Sequence, residues 1–272
     1  MDQKEFIKEF KFKKQFGQNF IIDENILNNI VKAVNVDKNN LVIEVGCGAG
    51  ALTNKLIKNF DNVIGYEIDS SLRLILKKLD NENENVEIIF DDFLKRNIKK
   101  DLEKYKYENL YLVANLPYYI TTPIIMKIID SKINIKKIVI MVQKEVGNRL
   151  KAKPNSKEYN SLSVFIEYYF NVKKIIDVNR NVFVPKPNVD SIVIELSKKE
   201  KKHNVLDEQL FFNIVRDSFR QKRKTLKNNL TAYNLDVIFS VLKKNNIKEN
   251  VRAEQLTLDN FIEIANALKL SL

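Results

Sequence analysis

Asn115-Leu116-Pro117-Tyr118 stands at the carboxyl end of the apolar run Leu110-Tyr111-Leu112-Val113-Ala114. The run reads as a buried parallel strand, and open α/β sheets place their ligands at such strand ends. The four residue types suit one task, holding an exocyclic amine in the plane of an aromatic base. Asn115 offers a side-chain carbonyl that accepts from an NH2 group. Pro117 lacks an N–H and has a fixed φ, which stiffens the turn and helps leave the Leu116 carbonyl as a second acceptor. Tyr118 supplies a flat face on which a purine can stack. The plain alternative is a strand end followed by an ordinary turn, since X-Pro often marks one.

A second constellation lies upstream. The run Leu41-Val42-Ile43-Glu44-Val45 leads into Gly46-Cys47-Gly48-Ala49-Gly50 and then into helical periodicity. Glycines at such a bend, Gly46 and Gly48 among them, let backbone approach a ligand closely. Glu67 ends the next strand, about 20 residues on, where an acid takes ribose hydroxyls. A dinucleotide site has this outline too. The spacing, however, is Gly-x-Gly-x-Gly, and Glu44 before the turn discourages a pyrophosphate and suits a cation. Asp91-Asp92 after the third strand can accept from an adenine amine. A methionine-derived sulfonium with an adenosyl group satisfies all three. Cys47 is either a nucleophile or a small apolar residue of the turn, and no partner base is visible for it.

These residues need a scaffold, and the pattern supplies one. Short β-branched runs at 41–45, 62–67, 86–90, 110–114 and 137–142 alternate with amphipathic stretches such as 51–57 and 72–76. Alternation of this kind predicts a doubly wound, mostly parallel sheet with helices on both faces. Residues 172–182 and 191–196 add a terminal hairpin with an antiparallel member, which makes seven strands. Residues 197–203 form a charged linker, and from Asp207 onward only helical periodicity remains. The boundaries expected are an α/β domain at 1–200 and a helical domain of three to four helices at 201–272.

Composition narrows the field. The chain has 272 residues, 44% hydrophobic and 30% charged, as in a soluble globular protein. It has no apolar stretch of membrane-spanning length and no apolar leader at its N-terminus. Cys47 is the single cysteine and His203 the single histidine, so an intrachain disulfide, a His-based zinc site and a Ser-His-Asp triad are not supplied. A reducing cytoplasm, or an organelle matrix, and no metal are the expectation. The net charge of +11 points to a polyanion, or to a genome that favours Lys, Asn and Ile throughout.

The chain resembles the small-subunit rRNA adenine-N6,N6-dimethyltransferases, bacterial branch, over nearly its whole length. The resemblance rests on Phe16-Gly17-Gln18-Asn19-Phe20, Glu44-Val45-Gly46-Cys47-Gly48-Ala49-Gly50, Asn115-Leu116-Pro117-Tyr118 and Gln143-Lys144-Glu145-Val146. Pro154-Asn155-Ser156-Lys157-Glu158-Tyr159, Phe183-Val184-Pro185-Lys186-Pro187-Asn188-Val189-Asp190-Ser191 and Gln221-Lys222-Arg223-Lys224-Thr225-Leu226-Lys227-Asn228 complete it. It implies a Rossmann-like class I methyltransferase fold with a small all-helical domain after it. It implies S-adenosylmethionine at Gln18, Asn19, Ile21, Gly46, Glu67, Asp92 and Asn115. The family often has Pro where this chain has Cys47. An extruded adenine would stack between Tyr118 and Phe183, although Phe183 in Phe-x-Pro-x-Pro also reads as core. Tyr119 would tune the space a methylated amine needs.

Arg216, Arg220, Lys222, Arg223, Lys224 and Lys227 form the densest basic cluster, opposed nearby only by Asp217. Read as one helix, they spread over more than half its circumference. A solvated helix face is the plain reading; the resemblance favours phosphate binding. Lys144 and Arg149, with Lys151 and Lys153, flank the active-site edge, and Lys11, Lys13 and Lys14 offer a further arm. The implied substrate is small-subunit rRNA or an immature 30S particle, methylated on two adjacent adenosines of the 3′-terminal hairpin loop by a monomer. Alternatives are a 23S rRNA methylase of the antibiotic-resistance type and a non-catalytic ribosome-assembly or transcription factor. A dinucleotide-dependent dehydrogenase ranks last, because a hydride-transfer acid is missing.

Overall fold

Runs of Val, Ile and Leu that stay apolar on both faces can be satisfied only by burial inside a sheet covered on both sides. A computed structural model, which describes residues 6, 9–117, 120–200 and 203–272, shows that arrangement. Tyr118 and Tyr119 lie outside the described residues. The strands are β1 (Phe20–Ile21), β2 (Asn40–Val45), β3 (Asn62–Tyr66), β4 (Val86–Ile89), β5 (Asn109–Asn115), β6 (Ile135–Gln143), β7 (Phe170–Val178), β8 (Phe183–Val184) and β9 (Ser191–Lys198). Seven of them form one sheet in the order β4-β3-β2-β5-β6-β9-β7.

β2 pairs in parallel with β3 and β5, β3 with β4 and β5 with β6, whereas β9 runs antiparallel to β6. All six residues of β2 are buried. The chain runs outward from β2 through β3 to β4, then returns to start β5 on the other flank of β2. The order therefore reverses between β2 and β5, and a crevice opens at their carboxyl ends. β1 and β8 make a separate two-residue antiparallel ladder, Phe20 opposite Val184 and Ile21 opposite Phe183.

Local chemistry sets the helices that cover the sheet. Asp23 accepts from the N–H groups of Asn25 and Ile26 and so starts the helix Glu24–Val34, which buries Ile26, Leu27, Ile30, Val31 and Val34. Such a cap contributes about 1 kcal/mol. No helix among the described residues is long and apolar enough to cross a membrane.

The chain forms two compact units. One comprises the residues through Gly147 with Lys173–Lys198, and the other Asn148–Val172 with Lys199–Leu272. The change near residue 200 lies where the linker was read, but 148–172 belongs with the second unit and not the first. The cause is aromatic packing. The helix Ser161–Tyr169 buries Leu162, Val164, Phe165, Ile166 and Tyr168. Its Phe165 and Tyr168 rings meet Phe212 and Phe211 of the helix Glu208–Ser218, each with centroids 5.0 Å apart. A segment apolar on nearly every side carries no signal of which partner it will choose.

The second unit continues with helices Leu226–Asn229, Leu235–Lys244 and Leu258–Leu270. Counted with Glu208–Ser218, these are the upper number expected after residue 201. The basic cluster is not one helix. The helix ends at Ser218, and 219–225 is a loop clamped by Asn229, whose Nδ2 donates to the carbonyls of Ser218 and Gln221 and whose Oδ1 accepts from Gln221 N.

Candidate active site

The crevice between β2 and β5 holds a cavity of about 1050 Å³, counted out to its open mouth. Four strand ends and the segment 16–21 build its walls. From β2 come Glu44, Gly46, Cys47 and Gly48; from β3, Glu67 and Ile68; from beyond β4, Asp91, Asp92 and Phe93; from β5, Asn115, Leu116 and Pro117. Gln18, Asn19 and Ile21 close one side. Residues 16 to 117 in sequence thus meet in one place.

The glycine turn is shaped for close approach. Gly46 has φ +82°, and a Cβ there would stand 3.8 Å from the Asn115 carbonyl oxygen and 3.9 Å from Pro117 Cδ. Gly48 has φ +55°, and a Cβ there would press on the Phe20 ring at 3.1 Å. Gly48 N donates to Glu67 Oε2 at 2.9 Å, and Asp69 N donates to Glu67 Oε1 at 2.8 Å. Burial pushes the Glu67 carboxyl up, and those backbone N–H groups pull against the shift. Each oxygen keeps a further lone pair, the supply a ribose diol needs. Asp92 Oδ1 accepts from Leu94 N, and its Oδ2 has the exposed Lys95 ammonium at 4.0 Å.

Asn115 is oriented by the chain itself. Its Nδ2 donates to the Asn19 carbonyl at 3.0 Å. A carbonyl only accepts, so the NH2 end must face it. The Oδ1 end accepts from no described donor. Pro117 O is occupied by Ile120 N and Thr121 Oγ1, whereas the Leu116 carbonyl accepts from no described donor. Asn115 and Leu116, which both line the cavity at the end of β5, thus each carry an acceptor with no described donor.

Other site residues behave differently. The side chain of Gln18 is spent within the protein, accepting from Lys13 N and donating to Asp69 Oδ2. What it gives the cavity is a wall. Lys13 pairs with Asp69 at 2.5 Å and is not a free arm for a polyanion. Burial raises the Asp69 carboxyl, but the hydrogen bonds from Lys13 and Ser71 outweigh it and hold the group below its usual range. Phe183 is 3% exposed and sits in the core. In this structure its ring is core and not an open wall, because pairing with Ile21 turns it inward. The stacking partner Tyr118 lies outside the described residues. Cys47 is buried, its thiol facing Tyr66 O and pushed up by burial, which argues for a filler of the turn.

Several site residues carry no motif. Ile68, 47% exposed, lines the cavity directly after Glu67. Its place at a strand end beside an acid is the one signal that marks it. Asp69 links Glu67 to Lys13 and Gln18, and nothing local in sequence announces that.

In the second unit, Arg216, Arg220, Lys222, Arg223, Lys224 and Lys227 are all exposed. None makes an ion pair among the described residues, and Asp217 is taken by the Tyr233 hydroxyl at 2.6 Å. Lys222 donates to the Lys157 carbonyl, and the Arg216 guanidinium lies over the Phe165 ring. Lys144 is exposed, while Arg149 is half-buried and engaged.

The ribosomal RNA adenine dimethylase family profile matches residues 9–270. A ribosomal RNA small subunit methyltransferase A of Aster yellows witches'-broom phytoplasma is 49% identical over 257 residues, covering 92% of this chain and 93% of that one. Its counterpart in Alkaliphilus oremlandii is 44% identical over 266 residues, covering 96% and 93%. Among solved structures, a dimethyladenosine transferase from Plasmodium falciparum has TM-score 0.74 and 27% identity, covering 90% of this chain and 95% of its own. A 23S rRNA methyltransferase, ErmE, at TM-score 0.69 and 21% identity, shares the fold.

Proposed function

The chain belongs to the ribosomal RNA adenine dimethylase family, and we propose that it transfers methyl groups from S-adenosylmethionine to the N6 amines of two adjacent adenosines in the 3′-terminal hairpin loop of small-subunit rRNA. The observation that carries this reading is the pair of acceptors that take no described donor, Asn115 Oδ1 and the Leu116 carbonyl, set against the Gly46 turn. The cavity also fits a cationic adenosyl ligand. Gly46 leaves a cradle open, Glu67 and Asp92 keep spare lone pairs, and the buried Glu44 carboxyl has no hydrogen-bond partner among the described residues.

When bound, S-adenosylmethionine supplies a methyl group made electrophilic by a positively charged sulfur. An adenine N6 lone pair is delocalised into the ring and is a poor nucleophile. Asn115 Oδ1 and the Leu116 carbonyl would each accept one N6 hydrogen, which favours a more tetrahedral nitrogen and aims its lone pair. This is positioning with electrostatics, and it needs no general base before attack. The proton leaves once the nitrogen carries positive charge. A second round needs room beside Asn115 for the first methyl group.

The cations between Arg216 and Lys227, which make no ion pair among the described residues, support rRNA binding, through contacts that position the backbone without reading bases. The reading of a cytoplasmic monomer acting on an immature 30S particle rests on composition and on the relatives' names. Incubation with labelled S-adenosylmethionine and unmethylated small-subunit particles, followed by nucleoside mapping, tests it. Dimethyladenosine at adjacent positions of the terminal loop is expected. Label confined to large-subunit RNA would overturn the substrate assignment.

A further inference from the structure

Glu44 has no part in holding the amine, yet it is the most buried acid of the cavity. The residue is 0% exposed, and neither carboxyl oxygen has a hydrogen-bond partner among the described residues. Thr53 Oγ1, from the first turn of the helix Ala51–Asn59, and Cys47 Sγ lie close, but neither completes a hydrogen bond to it, and Thr53 Oγ1 is itself unpartnered. A buried carboxyl left in this state does not persist as an anion. Burial, with Glu67 nearby, pushes it up to about 8.

We propose that Glu44 is a charge sensor that distinguishes the cofactor before transfer from the cofactor after it. Glu44 holds a proton in the ligand-free chain, releases it to solvent when a sulfonium-bearing adenosyl ligand enters, and takes one up when that sulfur becomes neutral. The inference rests on the S-adenosylmethionine reading of this cavity and names a step that reading lacks.

The charges around Glu44 leave it as the responsive group. From β3, Glu67 is fixed by two backbone N–H donors, and Asp69 beyond it is paired with Lys13. Asp91 and Asp92 follow β4, with Asp91 bonded to Arg96. On its own turn, the Cys47 thiol is held neutral by burial. The helix Ala51–Asn59 presents Thr53, and β5 presents Val113 opposite Glu44. Lys13 and Arg96, the cations named here, are each paired with an acid, and the ligand's amino-acid end is the same zwitterion before and after transfer, so the sulfonium is the one positive charge by which the two ligands differ. An opposite charge within about 4–6 Å favours the ionised form.

The balance closes. Binding sends one proton from Glu44 to solvent. Transfer forms the N–C bond and breaks the C–S bond, whose electron pair stays on sulfur as its positive charge is lost. The amine gives up one proton, and Glu44 takes up one. The spent cofactor keeps its zwitterionic amino-acid end but has lost the attraction between its sulfonium and the ionised acid, and it now faces a neutral Glu44.

Titration calorimetry in two buffers of different ionisation heat, near about pH 7, reads the proton count. Wild type should release about one proton on binding S-adenosylmethionine and close to none on binding S-adenosylhomocysteine. An analogue with an ammonium in place of the sulfonium should behave as the former. The preference for the charged ligand should grow up to about tenfold per pH unit below the Glu44 value and level off above it. In Glu44→Gln the release and the slope should both vanish. Equal release for both ligands, or undiminished release in Glu44→Gln, overturns the proposal. Should Glu44→Gln not fold, infrared difference spectra of wild type serve instead. Loss of a protonated-carboxyl band with the charged ligand alone supports the proposal, and no change sinks it. Failure of wild type to bind either ligand removes the cofactor reading and this inference with it; binding without proton release removes only the inference.

Discussion

Asn115 Nδ2 and the main-chain carbonyl of Asn19 are hydrogen-bonded at 3.0 Å across 96 positions of sequence. The segment 16–21 therefore does more than wall the cavity. It turns the Nδ2 end of the Asn115 amide towards Asn19 and leaves Oδ1 as the end for the proposed amine. Asn115→Ala should abolish methyl transfer while rRNA retention persists. Asn115→Asp is the sharper test, since a carboxylate there sets an oxygen against the Asn19 carbonyl. Its turnover should fall about 10²–10³-fold, the scale of losing one preorganised polar contact. Near wild-type turnover would show that the Asn19 bond orients nothing of consequence.

Gly48 answers to two constraints, its φ of +55° and the Phe20 ring 3.1 Å from where a Cβ would stand. Gly48→Ala should lower stability by about 1–3 kcal/mol, read by denaturant unfolding. Adding Phe20→Leu relieves the steric part and leaves the backbone part. The pair should therefore couple by more than about 0.5 kcal/mol in a double-mutant cycle, and strict additivity would count against the contact.

Stability should also depend on pH through Glu44. Its folded value of about 8 lies above the ordinary 4.5, so between those values the folded chain binds more protons than the unfolded one. The ligand-free protein is thus most stable, in this respect, below about pH 4.5, and loses up to about 1.4 kcal/mol per pH unit as pH rises towards 8. Glu67, raised in the same direction, adds to the slope. Denaturation midpoints of wild type and Glu44→Gln across this range decide the matter; parallel curves would remove Glu44 as the source.

Reversing charge at Arg223 and Lys224 should weaken rRNA binding and leave S-adenosylmethionine affinity unchanged. Each lost phosphate contact should flatten the slope of log affinity against log salt by about one. An unchanged slope would mean that the loop Asn229 clamps does not touch phosphate.

Much of the site was legible because strand ends were legible. Once 41–45, 62–67 and 110–114 are read as parallel strands, Gly46, Glu67 and Asn115 must approach one another at the reversal of strand order. What escaped the reading depends on contacts between distant segments. Gln18 matches a family position, but its amide is claimed by Lys13 and Asp69. Phe183 carries an aromatic that a motif can flag, yet a two-residue ladder with Ile21 decides that it faces inward. Helical spacing through 216–227 was equally blind to Asn229, whose side chain holds the loop that breaks the helix.

The helical unit draws its core from two stretches of chain, Asn148–Val172 and Lys199–Leu272. On the ribosome it cannot mature when its first half emerges, and must wait until the last helix has been synthesised. A fragment beginning at 199 would leave Phe211 and Phe212 without Phe165 and Tyr168, and its circular dichroism should show no cooperative melt; a sharp transition would contradict this. The linker near residue 200 marks a change of pattern but is not a seam at which gene fusion or truncation could add or remove the helical unit.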